Sequence, residues 1–429
     1  MSFSSLTIQK GRLLSTIHDT AEKFGAKGVW GPESTQTGVC RLSLGDYDKQ
    51  VRDWLIQETT ALGCKVKVDE IGNIFSVFPG KKDGIPTGMG SHLDTQPTGG
   101  RYDGIYGVLS GLEVLRTMKE NNFVPEYPIA LVDWTNEEGA RFPMSIMASS
   151  VWAEQQTLEY AYNLKSVFEN DDATVEQELK RIGYLGPEKA SYKTNPLKAH
   201  FEIHIEQGPI LEGEQKEIGI VVGVQAYVWY KVRVYGKAQH TGTTPLPARS
   251  DALLATSHMI VRGNELAKKH NCLFSVGVLT LQPHAVNVIP EFVEFTIDIR
   301  HVKDSGLAEI LKEVKEEFPK IAEASGKKLS VEFEHIFTSD AVNFDKECIK
   351  CVTESAYEIV GQSKSREMLS GAGHDSCATS TRIPTSMIFI PSKDGVSHNP
   401  EEYSAPEEIA TGFEVLLSSV LKYDAARKD

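Results

Sequence analysis

The sequence is short of positive charge, of cysteine and of long apolar runs, and each shortage removes a class of function. Its 45 lysines and arginines are outnumbered by 59 aspartates and glutamates, giving a net charge of −14. Nucleic acid and anionic membrane both call for a basic face. Neither is therefore an expected partner, and an anionic small substrate would need a local cation. No stretch approaches the ~20 apolar residues of a membrane span. The start, MSFSSLTIQKGRLL, has no apolar core of a secretory signal, and the closing ARKD matches no lipidation or retention motif. The six cysteines, Cys40, Cys64, Cys272, Cys348, Cys351 and Cys377, are too sparse for a disulfide scaffold. They fit a reducing compartment, and a cytoplasmic location is the expectation. Cys348 and Cys351 form a C-x-x-C with no second pair, a weak zinc or redox signal. Internal repeats and low-complexity segments are lacking as well.

What remains is an ordinary globular composition, 40% apolar and 24% charged in 429 residues. At roughly 100–200 residues per domain, two or three domains are expected. The first forty residues are weakly patterned. Residues 44–63 read as an amphipathic helix, KVKVDEIGNIFSVF as a hairpin turned at 69–73, residues 104–120 as a helix and PIALVDW as a buried strand. Between the hairpin and the helix at 104 lies a Gly/Pro-rich run, PGKKDGIPTGMGSHLDTQPTGGRYDG. The middle of the chain differs. Residues 218–235, SVGVLTL, EFVEFTIDIRHV and KLSVEFEHIF are β-patterned, with helices at 249–270 and 305–325, an order that marks a ferredoxin-like split βαβ unit. A helix at 345–361, the strand TSMIFIP and a helix at 406–425 then resume the α/β pattern. The predicted architecture is a layered α/β catalytic domain with a mixed sheet, residues 1–216 and 340–429. It is interrupted by a ferredoxin-like α+β lid or dimerisation domain, residues 217–339.

Histidines and carboxylates stand at predicted strand ends or in Gly-rich loops, where α/β folds place their sites. They are His92 and Asp94 in HLD, Asp103 in GRYDG, Glu137 and Glu138 in WTNEEG, His204 in HIEQG and His398 in SHNP. Each also has a bland reading. His92 with Asp94, and Glu137 with Glu138, could be solvated loop pairs. His204 could be a satisfied strand histidine, and Asp103 and His398 could be turn residues. A mixed set of imidazoles and carboxylates suits zinc, manganese, cobalt or nickel better than calcium, and two such ions could share one carboxylate.

The order of these motifs is itself recognisable. HLDTQPTGGRYDG, NEEGARF, HIEQGP, QHTGTTP, NVIP, DIRH, GAGHD and SHNP together resemble the N-carbamoyl-L-amino-acid hydrolase and β-ureidopropionase family, part of the dinuclear-zinc exopeptidase clan, over residues 85–404. One departure is visible: the family's HLD follows an apolar strand, whereas IPTGMGS precedes it here.

The resemblance implies two divalent ions per subunit, zinc first and manganese, cobalt or nickel as alternatives. It implies that His92 and His204 hold one ion, that Glu138 and His398 hold the other, and that Asp103 bridges them. Asp94 would bind the second ring nitrogen of His92, and Glu137 would be the general base. His204 favours the carbamoyl hydrolases, because many peptidase relatives have a carboxylate at that position. Arg300 would clamp a substrate carboxylate, Asn287 and Gln207 would hydrogen-bond the substrate, and His240 would stabilise the oxyanion from the other subunit of a homodimer. Without the resemblance, Arg300 reads as a surface arginine on an edge strand. The implied reaction cleaves the carbamoyl C–N bond of an N-carbamoyl amino acid to amino acid, ammonia and carbon dioxide. Allantoate or ureidoglycolate amidohydrolysis and dipeptide hydrolysis are the alternatives. His374 and Asp375 receive no role.

Overall fold

The computed structural model describes residues 6–168 and 170–428. The chain divides into two units: one runs up to Gly223 and resumes at Asn343, and the other is Val224–Val342. The expected boundaries were 217 and 339. The first falls later because the continuous β pattern from 218 to 235 is two strands, and the first of them, Ile218–Val224, belongs to the larger unit's sheet.

That sheet has nine strands. At its centre Ile129–Trp134, Thr87–His92, Ala199–Ile205 and Thr385–Ile390 lie parallel, with every residue buried. Burial on both faces is what a parallel sheet covered by helices requires. The helices Ile105–Glu120, Lys346–Ile359 and Pro406–Ala426 supply much of that cover. The hairpin Lys65–Val68 and Ile74–Phe78 extends one edge antiparallel.

Thr87–His92 corrects the sequence reading, which saw only a Gly/Pro-rich run there. TGMGSH lacks the apolar run expected before HLD, yet it is a central strand. Close packing explains this: a Cβ on Gly90 would overlap the Val132 carbonyl of the adjacent strand. On the helix side, a Cβ on Gly107 would come 2.7 Å from Ser91 Cβ. Small residues therefore seat the helix Ile105–Glu120 close against the strand, and they carry Asp103, just before that helix, toward the strand's end. The weakly patterned N-terminus also holds a helix, Arg12–Lys23, whose buried side includes Thr16 and Thr20 beside Leu13, Ile17 and Ala21. Threonines on the buried face hide its apolar periodicity.

The second unit is an antiparallel sheet of five strands, Ala226–Tyr235, Leu273–Ser275, Leu279–Gln282, Phe292–His301 and Ser330–Ser339. The first strand lies between Phe292–His301 and Ser330–Ser339, the split βαβ arrangement. Burial alternates residue by residue along Ala226–Tyr235, as expected of a sheet covered on one face. The helices Ala252–His270 and Asp304–Ser325 pack against this sheet, around a core of its own. The expected strand SVGVLTL is split in two at residues 276–278. Among the described residues, no helix is long and apolar enough to cross a membrane.

Candidate metal centre

The parallel strands end on one side of the sheet, and the candidate donors gather there. His92 is the last residue of its strand, Glu137 and Glu138 follow Ile129–Trp134, and His204 is the penultimate residue of Ala199–Ile205. His398 lies in the loop beyond Thr385–Ile390. Asp103 joins them from the turn before its helix. Its Oδ1 lies 3.1 Å from His204 Nε2 and 3.7 Å from His92 Nε2, while its Oδ2 lies 3.3 Å from His398 Nε2. His398 Nε2 is also 3.4 Å from Glu138 Oε2. Two donor groups result, His92 with Asp103 and His204, and Asp103 with Glu138 and His398, each with its donor atoms within 4.8 Å of one another. One carboxylate therefore faces one group with each of its oxygens.

The histidines are oriented from behind. His204 Nδ1 lies 2.9 Å from the Ile205 main-chain carbonyl and His92 Nδ1 lies 2.9 Å from that of Asp94. Each contact favours an Nδ1–H, which leaves the Nε2 of each ring to face Asp103. Asp94 meets the second ring nitrogen of His92, as expected, through its main chain. It is the Asp94 carbonyl that holds the ring, whereas the Asp94 carboxylate oxygen is 3.9 Å away. That carboxylate instead accepts the main-chain N–H groups of Glu137 (3.2 Å) and Glu138 (3.3 Å). It is drawn there because the Glu137–Glu138 turn presents two buried N–H groups that need an acceptor. Asp94 thus steadies the imidazole with its backbone and the glutamate pair with its side chain. Glu137 Oε2 comes 3.4 Å from His92 Nε2.

Charge is crowded here. Burial, with the charges of Asp375, Glu138 and Asp103, holds the Glu137 carboxyl well above its ordinary range. Burial and Asp103 push Glu138 up to about 8. Burial works against a charged Asp103, but its hydrogen bonds to His204 and His398 outweigh it and hold its pKa well below the usual value. Burial lowers His92 to about 4. For His204 burial acts in the same direction, yet Asp103 and Glu202 lift it to about 9.

These residues fit a pair of divalent cations. The ion-pair partners of Asp103, Glu137 and Glu138 are histidines, and burial opposes the ionised form of both glutamates. A cation beside them would offset that cost. Glu138 Oε1 is buried with no hydrogen-bond partner, an unused ligand atom beside the second group. Mixed imidazole and carboxylate donors match zinc-like transition metals.

The remaining candidates fall in different places. Gln207 joins the centre, its Nε2 2.9 Å from Asp103 Oδ2. His240, Asn287 and Arg300 belong to the second unit. There a two-stranded ribbon pairs Gln239–His240 with Val288–Ile289, and the Thr241 N–H donates to the Asn287 carbonyl at 3.0 Å, so His240 and Asn287 are neighbours. Arg300 lies on Phe292–His301 with its guanidinium paired to Asp298 at 2.7 Å and set over the Tyr227 ring.

Of the other neighbours, the sequence reading passed over Gln96 and gave His374 and Asp375 no role. Gln96 Nε2 donates to Glu138 Oε2 at 2.8 Å, and the His374 ring packs 4.6 Å from that of His204. Asp375 accepts the Ser149 hydroxyl. GAGHD was the only signal that pointed to His374 and Asp375, and nothing local marks Gln96.

A model of peptidase family M20/M25/M40 matches residues 88–422. The chain is similar to an N-carbamoyl-L-amino-acid amidohydrolase of Rhizobium meliloti, 39% identical over 418 residues that cover 97% of this chain and 96% of that one. It is similar also to a ureidoglycolate hydrolase of Oryza sativa subsp. japonica, 33% identical over 402 residues, 91% of this chain and 81% of the other. Among solved structures, a hydantoinase/carbamoylase family amidase from Burkholderia multivorans superposes with a TM-score of 0.90 at 41% identity, covering 99% of this chain and 100% of its own.

Proposed function

The chain belongs to peptidase family M20/M25/M40 and is a hydrolase acting on amides, and from that premise we propose that it cleaves the carbamoyl group of N-carbamoyl amino acids at a dinuclear metal centre. The observation that carries the proposal is the pair of donor groups sharing Asp103, with the Glu137 carboxylate at their edge. His92, Asp103 and His204 would hold one ion and Asp103, Glu138 and His398 the other. When bound, two such ions supply Lewis-acid activation of a water and of the substrate carbonyl.

The protein's own groups do the rest. Glu137 takes a proton from the attacking water and delivers it to the leaving nitrogen, base and then acid. Asp94 holds the Glu137 backbone while the proton moves. His240 donates to the oxyanion that develops on the ureido carbonyl. Arg300 binds the substrate carboxylate, for which it would exchange its present pairing with Asp298, and Gln207 and Asn287 hydrogen-bond the substrate. The second unit acts in this scheme as lid and dimerisation domain, with His240 serving the partner subunit. Hydrolysis yields the amino acid and carbamic acid, which decomposes to ammonia and carbon dioxide.

Ureidoglycolate is the competing substrate, favoured by similarity to the rice ureidoglycolate hydrolase. A panel of N-carbamoyl-L- and D-α-amino acids, N-carbamoyl-β-alanine, ureidoglycolate, allantoate and a dipeptide, assayed with zinc, manganese, cobalt and nickel, separates the readings. Highest kcat/KM on an N-carbamoyl amino acid is expected. A clear preference for ureidoglycolate, allantoate or the dipeptide would reject the substrate class proposed here.

A further inference from the structure

Asp103 and His398 lie in loops far apart in sequence, and one side chain outside the donor set joins those loops. Glu402 is 2% exposed. Its Oε1 accepts the main-chain N–H groups of Tyr102 (3.1 Å) and Asp103 (3.0 Å). Its Oε2 accepts the Ser397 hydroxyl at 2.8 Å, and that hydroxyl lies 3.3 Å from Asp103 Oδ2. The approach is tight: a Cβ on Gly100 would overlap Glu402 Oε1. A single buried carboxylate therefore grips the peptide that carries the shared donor and the residue next to His398.

We propose that Glu402 is a positioning residue for the metal centre, fixing Asp103 and the His398 loop at the spacing two ions require. The proposal rests on the metal-centre reading above. The geometry separates this role from simple stapling of a loop. Two main-chain N–H groups, Tyr102 and Asp103, converge on one oxygen, which fixes where the Asp103 backbone enters its helix. The other oxygen acts through Ser397, which touches the face of Asp103 turned toward His398. Loss of the carboxylate would leave those N–H groups buried without an acceptor and would loosen the loop that supplies His398. The ion between Asp103, Glu138 and His398 should suffer first, because His398 is the exposed member of that group and has the least packing to hold it.

The test uses chelator-stripped full-length protein. Wild type, Glu402→Ala, Glu402→Gln and Ser397→Ala are titrated with Zn²⁺, and the Tm of each stripped protein is recorded. Wild type should bind two equivalents. Glu402→Ala should weaken the second equivalent by roughly 10–100-fold, the usual effect of removing a group that orients a metal ligand. Glu402→Gln, which keeps an oxygen for the two N–H groups, should recover part of that loss. Ser397→Ala removes one arm only and should show a smaller loss. It carries the test by itself should the Glu402 variants fail to fold. Lower Tm with unchanged zinc isotherms in every folded variant would make Glu402 a structural staple and overturn the proposal. Wild-type protein that takes up no zinc would overturn the metal-centre reading itself, and this inference with it.

Discussion

The two units hold their candidate residues in opposite ways. In the larger unit the donors are mostly buried and crowded by like charge: His92, Asp103 and His204 are at most 4% exposed, and burial and neighbouring carboxylates push Glu138 up to about 8. In the smaller unit His240 and Asn287 are exposed and Arg300 is half-buried. Burying the first arrangement has a cost, which a bound cation would offset. The second costs the fold little, since an exposed histidine or a surface ion pair is nearly neutral for stability. A centre that strains the fold has to be justified by what it binds. Residues that sit easily on a surface can be justified only by what they touch during turnover. The first unit can therefore be judged from its own geometry, and the second only by kinetics.

Glu137→Gln should have the largest effect on turnover. The amide keeps the shape and loses the base, so kcat should fall by about 10²–10⁴-fold while metal content stays at the wild-type level. Undiminished turnover would place the base elsewhere. His240→Ala should follow, with a loss on the order of 10²–10³-fold in kcat, as for removal of one oxyanion donor, and with no change in bound metal. If His240 serves the partner subunit, mixing the two inactive variants under subunit exchange should restore part of the activity. Absence of recovery despite proven exchange would confine His240 to its own subunit or remove its role.

Stability sharpens the contrast from the other side. Chelation should remove about 3 kcal/mol from the larger unit when metal had stood near 100-fold above its Kd. Amide exchange should quicken around residues 92–104, 135–139 and 397–402 while residues 226–342 keep their protection. Uniform loss across both units would mean that the centre does not belong to one of them. The smallest effect expected is that of Arg300→Lys. A point charge replacing the two-pronged guanidinium should cost about 1.5–3 kcal/mol in kcat/KM for a carboxylate substrate. The corresponding substrate amide should be barely affected, and equal losses for acid and amide would make Arg300 structural.

The histidines and carboxylates that cluster were legible in the sequence because groups able to bind a metal are of few residue types, and the loops at strand ends keep those residues in short distinctive strings. What lay in tertiary packing was not. The strand Thr87–His92 carries glycines because Val132 and the helix Ile105–Glu120 approach too closely for side chains, so the apolar signal that marks a buried strand is missing. Arg12–Lys23 hides behind buried threonines. The unit boundary was blurred because Ile218–Val224 and Ala226–Tyr235 are separated by Gln225 alone and read as one strand. Asp94 was expected at the second ring nitrogen of His92 and lies there through its carbonyl, a group that every residue carries and no sequence singles out. Gln96 and Glu402 were invisible for the same reason: their importance is a matter of which distant backbone or carboxylate they meet.

The central claim is that Asp103 is shared between two ions, and metal counting tests it most directly. Chelator-stripped wild type, His398→Ala and Asp103→Ala should be titrated with zinc under identical conditions. Two equivalents are expected for wild type, one for His398→Ala, and loss of both tight equivalents for Asp103→Ala, each protein remaining folded by circular dichroism. Two tight equivalents retained in folded Asp103→Ala, or a single equivalent in wild type, would contradict that claim.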